Sequence, residues 1–224
     1  MLSIVIPTLN AAEDLPRTLT ALVPGAVEGL VKDVVIADGG SSDATAAIAE
    51  EAGATFVSAA PGRGSQLRAG ADMAKADWFL FLHADTALAD GWVSDVRRTM
   101  SSNPDAAGVF RFVLDDVGFR ARTVEKGVRI RCAFFGLPYG DQGLLISRRH
   151  YLEVGGYEDL PLMEDIDLVR RIGRRRLVLL DTAAVTSAVR YRRDGYIKRV
   201  ARNATCLAMF FAGFKPQTIV RLYG

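Results

Sequence analysis

Three acidic signatures lie in fixed order along this 224-residue chain. Asp38-Gly39-Gly40-Ser41-Ser42-Asp43 follows one short apolar run, His83-Ala84-Asp85-Thr86 follows another, and Glu164-Asp165-Ile166-Asp167 opens a helical pattern. Each places carboxylates where an apolar element stops. Ligands of α/β folds bind beyond the carboxyl ends of strands, so three such junctions suggest one site for a nucleotide, a metal and a catalytic base. Asp38, beside two glycines that permit close backbone approach, can accept from a base N–H or a ribose hydroxyl. His83 and Asp85, two residues apart, share one side of an extended segment and can approach one cation bridging two phosphates. The carboxylate suits Mg²⁺ or Mn²⁺, and the imidazole tilts the choice towards Mn²⁺. Glu164 and Asp165 sit where free N–H groups favour ionised carboxylates, and such a group can take a proton from a hydroxyl. Plainer roles stay open for each segment alone: a strand–turn–helix junction at Asp38, a backbone-bonded histidine at His83, a simple preference for acids at a helix start.

Basic residues complement the acids. Gly62-Arg63-Gly64-Ser65, running on to Arg68-Ala69-Gly70, is a glycine-flanked basic loop before a helix. Its backbone N–H groups and arginines suit a phosphate. The P-loop spacing is absent, and no G-x-G-x-x-G follows the first strand, which counts against a dinucleotide oxidoreductase. Residues 170–224 hold 13 Lys+Arg against 2 Asp+Glu, a net of +11, while residues 1–169 hold 15 against 24, a net of −9. The arginines of 170–176, with Arg190, Arg192 and Arg193, can meet a diphosphate, or an anionic membrane at roughly 1 kcal/mol each. Aromatic residues among them are sparse, so no nucleic-acid partner is expected.

The elements that must position these groups follow from hydrophobic patterning. Strands are expected at Ser3–Ile6 (ended by Pro7), Val34–Ala37, Thr55–Val57 and Trp78–Leu82. Between them, Asn10 and Glu13 resemble a capping box for a helix running to about Val23, stopped by Pro24-Gly25. Ser42 or Asp43 caps a second helix through about Ala52, and the segment from Gly62 to Ala76 turns from loop into helix. Strands separated by such helices imply βαβ units and a parallel sheet. In the second half, strands are expected at Ala107–Leu114, Leu144–Ile146 and Leu177–Leu180. Helices are expected at Asp165–Ile172 and Tyr196–Phe214, and Val117–Arg131 reads as an amphipathic helix or a mobile segment. Half of the residues are hydrophobic and 24% charged, as in a globular domain with a real core. Two cysteines without motif spacing fit a reducing compartment and give no zinc site. No signal-peptide pattern is read, and the apolar run Ala204–Phe214 is far short of the ~20 residues that span a bilayer.

With these residues in view, the chain resembles the family 2 glycosyltransferases of GT-A fold, specifically a compact bacterial single-domain subgroup. Ile4-Val5-Ile6-Pro7-Thr8-Leu9-Asn10 is similar to the family's opening strand and turn, and Asp38 through Thr45 to its nucleoside-binding segment. Leu82 through Thr86 resembles the metal-binding DxD motif, with His83 in place of its first aspartate, and Glu164-Asp165 resembles the acidic pair that supplies the base. Gly62 through Gly70 is similar to a segment of the dolichol-phosphate mannose synthases, and Tyr139 through Gly143 and Thr186 through Arg193 add likeness to the compact subgroup.

The resemblance implies an α/β fold of GT-A type, with a Rossmann-like, mostly parallel central sheet flanked by helices. It implies one domain over 1–224: a nucleotide-binding half at 1–90, an acceptor and catalytic half at 91–195, and a C-terminal helical segment at 196–224. Pro7, Thr8, Asn10, Asp38 and Gly40 would bind the nucleotide, joined by Arg63, Arg68, Ala84, Arg190 and Arg193. Asp85 and His83 would hold Mn²⁺ or Mg²⁺, Asp165 or Glu164 would act as base, and Asp141 and Gln142 would face the acceptor. The expected activity is inverting transfer of one sugar, of hexosyltransferase type, from a nucleotide-diphosphate sugar to an acceptor hydroxyl. The processive QxxRW signature is absent, which disfavours polymer synthesis. A lipid acceptor, a cytoplasmic location and a peripheral contact at the inner face of the membrane complete the expectation. The alternatives are a nucleotidyltransferase, which needs a glycine-rich basic loop where Pro7-Thr8-Leu9-Asn10 stands, and a catalytically silent module binding a nucleotide or a membrane.

Overall fold

A computed structural model describes residues 1–223. Strands β1 (Leu2–Thr8), β2 (Val31–Asp38), β3 (Thr55–Ser58) and β4 (Trp78–Phe81) alternate with helices α1 (Leu15–Val27), α2 (Thr45–Glu51) and α3 (Arg63–Met73). Then come β5 (Thr86–Leu88), α4 (Trp92–Ser102), β6 (Ala107–Leu114), α5 (Phe119–Phe135), β7 (Leu144–Ser147), α6 (Arg148–Glu153) and α7 (Glu164–Ile172). The chain closes with β8 (Leu177–Thr186), α8 (Val189–Asp194), α9 (Tyr196–Phe211) and α10 (Pro216–Tyr223).

One sheet runs β3-β2-β1-β4-β7-β6-β8-β5. Its β1–β2, β2–β3, β1–β4 and β6–β8 pairs are parallel, while β7 is antiparallel to both β4 and β6, and β5 to β8. The chain moves from β1 outward to β3, then returns to place β4 on the other side of β1. That reversal opens a crevice beyond the carboxyl ends of β1 and β4. Alternate residues face opposite layers: Ile4, Ile6, Ile36 and Leu80 pack with Trp92 and Phe110 on one face. Val5, Val35, Phe79 and Phe81 pack with Tyr151 and Leu168 on the other. Both faces of the central strands are covered, which is why they read as continuous apolar runs.

Several boundaries differ from the sequence expectation. Pro7 does not end β1, because the β1–β4 ladder has already stopped at Val5, leaving no donor required on that side, while Pro7 and Thr8 still pair with β2. Asn10 does not cap α1, which starts at Leu15. Its side-chain oxygen instead accepts from the Ser42 N–H at 2.9 Å, and its backbone sits at φ 51°. α1 continues through Pro24 to Val27; buried Leu22 and Gly25 hold this last turn against the core, so tertiary packing overrides the breaker. The expected helix Tyr196–Phe214 is α9, which stops at Phe211 just before Gly213, whose φ of 77° favours glycine. The segment at 117–131 is an ordered helix, α5, extending to Phe135. β5, α4, α6, α8 and α10 have no counterpart in the expected elements.

Candidate active site

The first two loops beyond the sheet are tied together by side chains. Asp38, 4% exposed at the end of β2, accepts from the Thr8 hydroxyl at 2.8 Å, the Gly40 N–H at 2.9 Å, and both the N–H and the hydroxyl of Ser41 at 2.7 and 2.5 Å. Burial pushes this carboxyl up, but the donors from Ser41, Thr8 and Gly40 outweigh it and hold it below its usual range. These four bonds fill about all the acceptor sites a carboxylate has. Asp43 accepts from the Ala12 N–H at 3.0 Å and the Thr45 N–H at 3.0 Å. From α3, the buried Gln66 amide donates to the carbonyls of Thr8 and Ala37 at 2.6 and 2.9 Å, clamping the ends of β1 and β2.

A cleft of about 90 Å³ opens beside these loops. His83 and Asp85 reach it from the link between β4 and β5. β5 pairs with β8, and the Ser187 N–H donates to the Asp85 carbonyl at 3.0 Å. Thr86 and Thr186 hydroxyls meet at 2.9 Å, and Thr186 also reaches the Asp141 carbonyl at 3.1 Å. β8 therefore joins the second signature to the turn at 140–142. Asp165, near the start of α7, accepts from the Gly140 N–H at 2.6 Å and from the Ile166 N–H at 2.7 Å. Gly140 opens a short 3₁₀ turn, Gly140–Gln142. A Cβ there would stand 2.6 Å from His83 Nε2 and 3.4 Å from Asp165 Oδ2; only glycine lets the imidazole and the carboxylate approach this closely.

Arginines surround the acids. Arg63 enters from the first turn of α3, with its Nη1 3.7 Å from Glu164 Oε1. Its helix start is pressed against residues 158–160: a Cβ on Gly64 would meet the Glu158 carbonyl oxygen at 2.1 Å. Arg190 lines the cleft from α8, and Arg199 from α9, where it donates to the Tyr223 hydroxyl at 2.7 Å. Burial, reinforced by the Arg63 charge, pushes the His83 imidazole well below its usual range, so it is neutral, the form that binds a metal. Burial likewise raises Asp141, to about 7, with Asp165 and Asp85 adding to the rise against Arg131. Burial also raises Glu164, whose carboxyl has no hydrogen-bond partner.

Arg63, His83, Asp85, Asp141, Asp165 and Arg190 thus converge on one cleft. Glu164 lies behind it, 0% exposed. Pro7, Thr8 and Asp38, at the ends of β1 and β2, and Asn10 and Gly40, in the loops that follow, do not line the cleft, and the Ala84 carbonyl accepts from Thr18 at 2.7 Å. Arg68 is exposed and outside the cleft, because five residues along α3 turn it about 140° from Arg63. Arg193 points to solvent, paired with Asp194 at 2.9 Å. Gln142 is interior: its amide donates to the Phe110 carbonyl at 3.0 Å and accepts from Cys132 at 3.2 Å. Gln66, Asn203 and Tyr223 were not anticipated; the last two arrive on helices that fold back over the cleft, with no local motif to mark them.

Among the described residues, no three His, Cys, Asp or Glu side chains gather closely enough to enclose an ion. His83 and Asp85 offer two protein ligands, a number that suits Mg²⁺ or Mn²⁺ completed by substrate phosphates and water. The Oδ1 of Asp141, buried and without a partner, adds an acceptor to this acidic side.

The fold recurs in solved structures. Glucosyl-3-phosphoglycerate synthase from Mycobacterium tuberculosis, solved with Mn²⁺ and UDP-glucose, superposes with a TM-score of 0.66 at 19% identity, over 96% of this chain and 80% of that one. S. aureus TarS 1-349, solved with UDP-GlcNAc, gives a TM-score of 0.64 at 13% identity, over 83% of this chain and 58% of that one. Both likenesses establish the fold, which is the expected GT-A type. No curated protein sequence matches the chain. The family description "Glycosyl transferase family 2" matches residues 3–154, a span holding the Asp38 turn, the Arg63 helix start, His83, Asp85 and Gly140. With more than half its length matched, the chain belongs to glycosyl transferase family 2.

Proposed function

We propose that this protein transfers one sugar from a nucleotide-diphosphate sugar to an acceptor hydroxyl with inversion at the anomeric carbon. The observation that carries the reading is the meeting of Asp165, with one carboxylate face in the cleft, and the Arg63, Arg190, His83 and Asp85 set in the same space. Residues 1–90 hold the nucleotide, 91–195 supply the acceptor side and base, and the C-terminal helical segment lines the cleft with Arg199, Asn203 and Tyr223. The tied loops around Asp38 seat the nucleoside. Because Asp38 already holds four donors, a base N–H exchanges with the Ser41 or Thr8 hydroxyl there. His83 and Asp85 would hold the divalent cation, which when bound stabilises negative charge on the diphosphate.

Arg63 and Arg190 place positive charge beside the leaving phosphates. Asp165, kept in place by the Gly140 and Ile166 N–H groups, takes the acceptor proton as its oxygen bonds to the anomeric carbon. The bond from that carbon to the diphosphate breaks, its electron pair leaves with the nucleoside diphosphate, and the new glycosidic bond lies on the opposite face. Asp165 rather than Glu164 is assigned as base because Glu164 is sealed from the cleft.

A peripheral membrane contact belongs to the same reading. No helix among the described residues is long and apolar enough to cross a membrane. Exposed Phe134, Phe135, Phe211 and Phe214 stand in the basic second half, with Arg170 stacked 5.1 Å from the Phe211 ring. Aromatic groups beside cations favour an anionic interface. We place the protein in the cytoplasm, at the inner face of the membrane; failure to sediment with anionic liposomes at low salt would count against this. The transfer reading is tested by calorimetric binding of UDP, GDP, CDP and dTDP, each with and without Mn²⁺. Metal-dependent binding of one of them supports it and names the donor class. No binding by folded protein removes it in favour of a silent module.

A further inference from the structure

We propose that the acceptor is a membrane-resident amphiphile, its apolar chain lying in the groove between α5 and α9 and its hydroxyl-bearing head meeting Arg131, Asp141 and Asn203. The assignment rests on the transfer reading above and goes beyond it to the chemistry of the acceptor.

The groove encloses about 670 Å³, within the range of sites that hold a small organic ligand. Phe119, Val124 and Val128 of α5 face Ile197, Val200 and Leu207 of α9 across it. It is continuous with the cleft: Tyr139, Asp141, Tyr191 and Asn203 line both. At that neck three buried polar atoms lack partners, Arg131 Nη2, Asp141 Oδ1 and Asn203 Oδ1. Unpartnered buried groups are costly and rare. One donor and two acceptors beside an apolar trough match a hydroxylated head on an apolar chain. Arg131 is fixed there, its guanidinium 3.4 Å from the Tyr139 ring centroid and its Nε donating to the Leu137 carbonyl at 2.8 Å.

Gly127 is an independent observation. It lies mid-helix in α5 on the groove wall, where glycine weakens a helix relative to alanine. Nothing lies within 4 Å of a Cβ placed on it, so no contact within the chain demands glycine. What its missing side chain leaves free is groove. At the far mouth, Phe119 and Ile197 are each 85% exposed. Two such side chains at the open end of an apolar trough suit a chain that continues into a bilayer rather than one that ends in water.

The test is fluorescence titration with a dansyl-labelled undecanol, competed by unlabelled alcohols from hexanol to decanol, alongside calorimetry with the nucleoside diphosphates. Each added methylene should strengthen competition about fourfold. Gly127→Phe and Ala204→Trp, which fill the groove from exposed helix positions, should each weaken probe binding by about tenfold or more by displacing several methylenes, and both should still bind nucleotide. Unchanged probe binding in these variants, folded by circular dichroism, overturns the proposal. So does a wild-type protein that binds nucleotide but no probe. A protein that binds probe but no nucleotide refutes the transfer reading, and with it the acceptor role of the groove.

Discussion

Gly140→Ala separates the geometry of the cleft from the stability of the fold. The new Cβ stands 2.6 Å from His83 Nε2 and 3.1 Å from its Cε1. Ordinary contact begins at 3.4 Å, so the imidazole must retreat by at least 0.8 Å, the difference between 3.4 and 2.6. Asp165 Oδ2 is already 3.4 Å away and need not move. The perturbation therefore falls on the metal-holding side and spares the base. Overpacking of this kind costs about 1–3 kcal/mol, which lowers the melting temperature by roughly 2–12 °C for a chain of this size. A misplacement near 1 Å at a reacting centre costs about 100-fold in rate. The assay is donor turnover, as transfer or hydrolysis, across a Mn²⁺ titration, with folding checked by circular dichroism. We expect a folded protein with turnover down about 100-fold and a raised metal requirement. A folded variant with the wild-type rate and the wild-type metal midpoint would refute the placement of His83 and Gly140 in the site.

Three further predictions follow from the charges. Asp141 titrates near 7 in the folded protein against 3.8 in the unfolded chain. Between those values the folded state keeps a proton that the unfolded chain releases, so stability falls as pH rises through the window and is level above it. Asp141→Asn should therefore stabilise metal-free protein at pH 8, by on the order of 2–4 kcal/mol, and change its stability little at pH 4, as read by thermal melts; equal shifts at the two pH values would contradict this. Arg63→Ala removes the cation facing a buried carboxyl. Because Glu164 is held up by burial and can take a proton, the loss of stability should be larger at pH 8 than at pH 6, and nucleoside-diphosphate affinity should fall at both; thermal melts and calorimetry read the two effects. EDTA treatment should weaken nucleoside-diphosphate binding, with Mn²⁺ restoring it, and binding indifferent to both would remove His83 and Asp85 as the metal pair.

Much of this was legible in the sequence where local chemistry dictates it. The apolar runs at Ser3–Ile6, Val34–Ala37 and Trp78–Leu82 are buried on both faces and read as strands. The acidic residues at their ends fall beside the crevice because strand ends are where a parallel sheet meets its loops. Asp165 was legible as a helix-start acid and as the first choice of base, but the burial of Glu164 was not, since it depends on what packs behind α7. Arg68 and Gln142 show the opposite limit. Both sit in the matched motifs, yet helix rotation carries one away and an interior hydrogen-bond pair holds the other. Asn10 and Pro7 looked like punctuation, but long-range pairing with residues 37–42 decided their roles. The apolar groove and its polar neck were out of reach, because α5 and α9 stand more than sixty residues apart and neither carries a motif.

The most direct test of the central claim is Asp165→Asn. Asparagine keeps the size of the side chain but cannot take a proton, and its amide can satisfy only one of the Gly140 and Ile166 N–H donors through oxygen. The account predicts a folded protein that binds its nucleoside diphosphate with metal nearly as tightly as wild type, while transfer falls by about 10²–10⁴-fold. Full transfer activity in that variant would contradict it and take Asp165 out of the mechanism.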